Sequence, residues 1–164
     1  MKTQKRRKLE NKTDYKIRTN LLKSEKPRII FRKTDRYIIA QYIKSEESKD
    51  KVIFGITSKD LINYGWPKEF SGSLKSITAS YLTGYLFGKK IKEKKLEEGI
   101  VDLGMTRRIH KSKPFAFIKG LIDMGVKIEC KKDAFPEDSR IRGENLKENF
   151  SKYFENIKLK IENK

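Results

Sequence analysis

One cysteine, Cys130, and one histidine, His110, are present in a chain of 164 residues. A single thiol has no partner for an intrachain disulfide, and one thiol plus one imidazole cannot fill the four-ligand shell of a structural zinc site. Cys130 therefore reads as an ordinary small side chain, in accord with a reducing compartment. A Ser-His-acid triad would rest wholly on His110, whose neighbours Arg107, Arg108, Lys111 and Lys113 mark a cationic loop and not the seat of a catalytic base. Long apolar runs are missing too. The best, residues 77–88, carries Ser80, Thr83, Gly84 and Gly88 and falls short of the ~20 residues that span a bilayer. No apolar signal core follows the basic start, so a cytoplasmic location is expected.

Acidic charge is the other shortage. Asp and Glu together number 22 against 40 Lys and Arg, a formal net charge of +18. Such an excess repels itself unless a polyanion neutralises it. The charge runs the whole length instead of lying on one amphipathic helix, which favours nucleic acid over a membrane surface. Two-metal hydrolysis needs converging carboxylates. The first three predicted strands contain no Asp or Glu; Asp102 stands in a fourth, and Asp35, Asp60 and Asp123 fall in a turn and in helices. Gly84-x-x-x-Gly88-Lys89 lacks both the spacing and the preceding strand of a phosphate-binding loop. No metal, cofactor or catalysis is expected.

At 36% hydrophobic and 38% charged, the chain can build one modest core. Residues 1–12 are polar and basic and read as a tail without a fold of its own. Thr13 and Asp14 can cap a helix running to about Lys23. Two β-branched runs, residues 28–33 and 36–43, form a hairpin around Thr34-Asp35; residues 45–51 read as a turn and 52–56 as a third antiparallel strand. Ser58 can cap a short helix that Gly65 and Pro67 end. A longer helix, from about residue 76 to 95, places Ile77, Tyr81, Tyr85 and Gly88 on one apolar face, with Ser80, Gly84 and Gly88 forming a small-residue stripe suited to packing on a sheet. Residues 100–103 read as a buried strand, and Pro114 opens a helix with Phe115, Ile118, Leu121 and Ile122 on one side, followed by residues 126–128 as a further strand. Residues 130–142 show no periodicity; residues 144–161 read as a charged helical extension. The domain limits that follow are a tail over 1–12, an α/β RNA-binding domain over 13–130 and a C-terminal loop and helical extension over 131–164.

What the sequence has in quantity is basic and aromatic. Lys5, Arg6, Arg7 and Lys8 crowd the tail. Arg28, Arg32, Lys33, Arg36, Tyr37, Gln41 and Tyr42 crowd the hairpin, Arg107, Arg108, His110 and Lys111 follow the fourth strand, and Arg140 and Arg142 form a last pair. Cations supply phosphate contacts; rings and amides can stack on or hydrogen-bond to unpaired bases.

In this setting stand Lys12-Thr13-Asp14-Tyr15, Lys26-Pro27-Arg28 leading into Arg32-Lys33, Ile38-Ile39-Ala40-Gln41, Tyr64-Gly65-Trp66, Ala79-x-Tyr81-Leu82-Thr83-Gly84, Gly88-Lys89-Lys90, Asp102-Leu103-Gly104 and Arg140-Ile141-Arg142-Gly143-Glu144. In this order, over residues 5–146, they resemble the archaeal form of the 5S-rRNA-binding protein family of the large ribosomal subunit. Thr106 departs from the histidine common before the matching Arg107. The resemblance implies an α/β, ribonuclease-H-like arrangement: a mixed sheet opening with a three-stranded antiparallel meander, helices on both faces, a basic tail and a C-terminal helical extension. It also implies a structural role without catalysis. The implied partners are 5S rRNA, the large-subunit rRNA and neighbouring proteins of the central protuberance. Lys12, Thr13, Tyr15, Arg18 and Lys59 join the clusters above as candidate RNA contacts. A nuclease or RNA-processing enzyme on the same fold is the competing expectation, and a nonspecific DNA-binding protein a third.

Overall fold

The structure, a computed structural model, describes residues 3–46, 49–145 and 150–163. Strands β1 (Arg28–Lys33), β2 (Ile38–Glu46) and β3 (Lys49–Thr57) form the antiparallel meander, and β4 (Ile100–Asp102) adds parallel to β1, giving the order β3-β2-β1-β4. The alternation sets the faces. Ile29 and Phe31 lie opposite Tyr42 and Ala40, all buried, while Arg28, Ile30 and Arg32 lie opposite Ile43, Gln41 and Ile39 on the other face.

The predicted turn over residues 45–51 is shorter than expected. Ser45 pairs with Asp50 and Glu46 with Lys49, so the strands run on through polar residues. The backbone ladder holds this end without help from burial. Glu46 and Asp50 thereby enter the sheet, correcting the expectation of a meander free of carboxylates.

Helix α1 (Arg6–Leu9) is a single turn in the tail and buries nothing. Helix α2 (Tyr15–Lys23) starts as expected: the Asp14 carboxylate accepts from the Lys16 and Ile17 amides at 2.9 and 3.1 Å. After β3, a 3-10 turn over Ser58–Tyr64 is capped by Thr57, whose amide donates to Asp60 at 2.9 Å. Ser58, expected as the cap, is instead buried, its hydroxyl accepting from the Ile38 amide at 3.0 Å.

The periodicity of helix α3 (Ile77–Glu93) predicts one buried face. Every residue from Thr78 through Gly88 is buried, because the helix is the central post of the molecule. Phe87 stacks on Phe54 of β3 (4.7 Å) and meets Phe117 of α4 (Lys113–Asp123) at a tilt (6.1 Å), and Tyr81 meets Phe154 of the last helix at 5.6 Å. The small-residue stripe packs on α4 and not on the sheet. A Cβ added at Gly84 would stand 2.2 Å from the Phe117 carbonyl oxygen, one at Gly120 would stand 2.3 Å from that of Tyr81, and the Ser80 hydroxyl donates to the Lys113 carbonyl at 2.6 Å. This contact turns α4 so that Ala116, Phe117, Gly120 and Leu121 enter the core with Ile118, leaving Phe115 and Ile122 on the flank.

Residues 126–128 form no strand. Gly125 closes α4 at φ 89°, the Val126 amide donates to the Leu121 carbonyl at 3.0 Å, and the Val126 side chain plugs the core beside Gly88. The apolar alternation there serves the helix end instead of a ladder. A short turn over Lys132–Ala134 and α5 (Asp138–Arg142), ended by Gly143 at φ 78°, occupy the stretch read as aperiodic. Helix α6 (Ser151–Asn163) buries Phe154, Ile157 and Ile161 against the same core, and Lys89 caps its end by donating to the Ile161 and Glu162 carbonyls at 2.6 and 3.1 Å. Residues 146–149 of the expected helix, 1–2 of the tail and 47–48 of the turn lie outside the described residues. Helices α3 and α4 thus cover one face of the sheet, and α2 lies at the margin of the other, where Arg18 reaches Asp50 at 3.0 Å.

Candidate nucleic-acid interface

The strands place an arginine between two carboxylates. Arg28, 2% exposed, donates to Asp50 at 2.6 Å, to Ser45 at 3.0 Å and to Asp102 at 3.4 Å. It is a strut within the sheet, a buried cation already held by two anions, unlike the exposed cations expected beside it as RNA contacts. Asp102 also accepts from Arg32 at 3.3 Å and from the Gly104 amide at 2.7 Å, so it fixes both an arginine and the start of the following loop. Arg32 donates in addition to the Asp102 carbonyl at 2.9 Å but keeps 40% of its side chain exposed. Burial raises the Asp50 carboxyl, yet the Ser45 hydroxyl and the Arg28 and Arg18 charges outweigh it and hold the group below the usual carboxylate range.

Around Arg32 a cleft opens, bordered by Arg7, Lys12, Thr13 and Arg18. The tail folds towards it. The Arg7 side chain donates to Thr13 at 2.9 Å and Lys5 stands 4.4 Å over the Tyr15 ring, while Arg6 and Lys12 both pair with Glu10 at 2.8 Å. Lys8 is exposed.

A second depression, a groove of about 660 Å³, joins residues far apart in sequence. Lys33 from β1, Arg107, His110 and Lys111 from the loop, and Arg140 from α5 line it together with the apolar Phe31, Ile77, Ile109 and Pro114. The loop is held from within. The Lys111 amide donates to the Ala134 carbonyl at 2.8 Å with its own backbone at φ 56°, the Ser112 hydroxyl donates to the Ile109 carbonyl, and the His110 ring meets Phe115 edge-on at 5.7 Å. The Lys111 ammonium pairs with Glu137 at 2.9 Å, both side chains being exposed. Lys113 also lines the groove; its ammonium lies below the usual lysine range, through burial first and then the charges of Lys33 and Lys75.

The other candidates are spread more widely. Arg36 is exposed at the hairpin turn, Lys59 sits 4.6 Å over the Tyr37 ring, and Gln41 is half-buried on the open sheet face beside Gly55. Arg108 turns to a different groove alongside β4, and Arg142 is exposed on α5. Sequence reasoning did not count Lys113 and Ile109 among the candidate contacts, although both line the groove, nor Asp50 and Asp102 as supports of Arg28 and Arg32. A lone isoleucine within the basic run over 107–113 was the available signal for Ile109 and Lys113.

The profile of a family described as ribosomal large subunit proteins 60S L5 and 50S L18 matches residues 1–100 of this chain. The chain belongs to this family. It is similar to the large ribosomal subunit protein uL18 of Korarchaeum cryptofilum, 42% identical over 141 residues that cover 86% of this chain and 70% of that one. With uL18 of Methanothrix thermoacetophila the identity is 40% over 143 residues, 87% of this chain and 82% of the other. With uL18 of Methanococcoides burtonii it is 35% over 161 residues, 95% of this chain and 91% of the other. That last span is too long to stop before α6, so the uL18 likeness extends beyond the motifs recognised over residues 5–146. As a member of the uL18 family the chain is a structural constituent of the large ribosomal subunit.

Proposed function

We propose that this protein binds 5S rRNA and helps attach it to the large-subunit rRNA in the central protuberance, with neighbouring ribosomal proteins on its remaining surfaces. The observation that carries this reading is convergence: Lys33, the 106–113 loop and Arg140 meet at one groove, and the tail and Arg32 line a cleft on the other face of β1. The sheet supplies the rigidity. Arg32 is anchored by Asp102, and the loop springs from the Asp102–Gly104 turn, so these cations present a fixed pattern suited to a folded RNA. The tail, exposed throughout its described residues 3–12, adds phosphate contacts. A nuclease on this fold is disfavoured because Asp50 and Asp102, the two carboxylates that meet at Arg28, are each committed to arginine.

The test is filter binding of 5S rRNA and transfer RNA at physiological salt, with magnesium present and the RNA examined afterwards. Stoichiometric binding that favours 5S rRNA and leaves it intact is the expected result; equal binding of both RNAs, or metal-dependent cleavage, would overturn the reading.

A further inference from the structure

Resting on the 5S rRNA reading above, we propose that the groove between the end of β1, the 106–113 loop and α5 takes one unstacked nucleotide of the bound RNA, its base against Ile77, Ile109 and Pro114 and its flanking phosphates against Lys33, Lys113 and Arg140. A surface that only tracked phosphate would need cations and nothing else. This one sets apolar side chains among them around a volume of about 660 Å³. Ile109 is 59% exposed and is the one apolar side chain of the 106–113 loop, where it contributes little to the core. A flat base ring is a surface that such a side chain can cover, and it comes with phosphates on either side that suit the cations.

Charge decides the class of occupant. Among the described residues no carboxylate lines this groove, whereas the groove beside β4 is lined by Glu98 and Glu129 as well as Lys26 and Arg108. The lining therefore selects an anionic partner, and a phosphate entering here offsets the charges of Lys33 and Lys75 that crowd the Lys113 ammonium. The walls are already in place. Ser80 holds the Lys113 carbonyl and Ala134 holds the Lys111 amide, so binding has little loop to order. A base within a duplex cannot reach the apolar side chains, because its faces are stacked and its edges paired; the nucleotide must come from a loop, bulge or end.

The test uses the full chain and 5S rRNA in which each unpaired nucleotide in turn is made abasic, leaving its phosphate. One abasic position is expected to weaken binding about five- to tenfold, the lower range for removal of a stacked base. Ile109→Ala is expected to weaken intact 5S rRNA by a similar factor, to leave the salt dependence unchanged, and to add nothing on the abasic RNA. Lys33→Ala and Arg140→Ala should instead lower the salt slope. If Ile109→Ala binds intact and abasic RNAs as the unaltered protein does, the groove holds no base, and a protein or lipid occupant replaces this proposal while 5S binding stands. If the unaltered protein shows no preference for 5S rRNA over transfer RNA, the proposed function falls, and this inference with it.

Discussion

Asp102 is the residue on which most depends. It is 7% exposed and accepts from Arg28, from Arg32 and from the Gly104 amide, so it neutralises a buried cation, orients an exposed one and sets the start of the loop. Asp102→Ala would leave Arg28 with Asp50 as its sole counter-charge. The expected loss of stability is about 3–5 kcal/mol in urea unfolding; a loss below about 1 kcal/mol would show that Asp50 and water suffice. Asp50 makes the same network sensitive to acid. Its carboxyl lies below the ordinary value of 3.8, so the stability it contributes is fully present above that value and is lost as the pH falls through the lower, folded-state one. Melting temperature measured from pH 5 down to pH 2 should fall more steeply, below about pH 4, for the unaltered protein than for Asp50→Asn. Parallel curves would remove Asp50 from the account.

Between elements, the decisive contact is the approach of α3 to α4. Helix propensity alone predicts that Gly84→Ala stabilises α3 by about 1 kcal/mol. The packing predicts the reverse, since the new methyl would stand 2.2 Å from the Phe117 carbonyl oxygen, a backbone atom that cannot swing away. Separating the helices also strains the Ser80 contact to Lys113, and with it the wall of the groove. A net destabilisation of about 1–3 kcal/mol is expected, read as a lowered melting temperature with 5S rRNA affinity reduced in parallel. A raised melting temperature would mean that the helices can part at little cost. The stripe of Ser80, Gly84 and Gly88 was legible in the sequence as a place of close approach. Its partner was not, because a spacing of four marks a helix face without naming what lies against it.

For the whole molecule, the question is how the basic tail and the folded basic surface divide the work. Deleting residues 1–12 is expected to weaken 5S rRNA and transfer RNA by similar factors and to flatten the salt dependence by about 0.7 to 0.9 logarithmic units for each phosphate the shortened protein no longer neutralises. Arg107→Ala should narrow the preference for 5S rRNA by about 1–3 kcal/mol if the arginine binds its base in bidentate fashion. Filter binding across a salt series with both RNAs separates the two. A tail deletion that abolished the preference, with Arg107→Ala neutral, would move recognition from the folded surface to the tail.

By itself the sequence determined that this is a polyanion-binding α/β protein with a three-stranded meander, a capped helix at Asp14, a central apolar helix and a set of collinear motifs shared with the uL18 family. These follow from net charge, from periods of two and of about three and a half residues, and from capping chemistry, all of them local. Tertiary structure alone decided which cations face outward. Arg28 and Arg32 are two strand positions of the same parity with the same side chain, yet one is a buried strut and the other is half free, because Asp50 arrives over the first from β3 and Asp102 sits between them on β4. It also decided that Lys33, Ile109 and Arg140 share a groove, that residues 126–128 plug a helix end instead of joining the sheet, and that α6 completes the core around Tyr81. Each of these depends on chain segments dozens of residues apart meeting in space, and no local pattern encodes which segments meet.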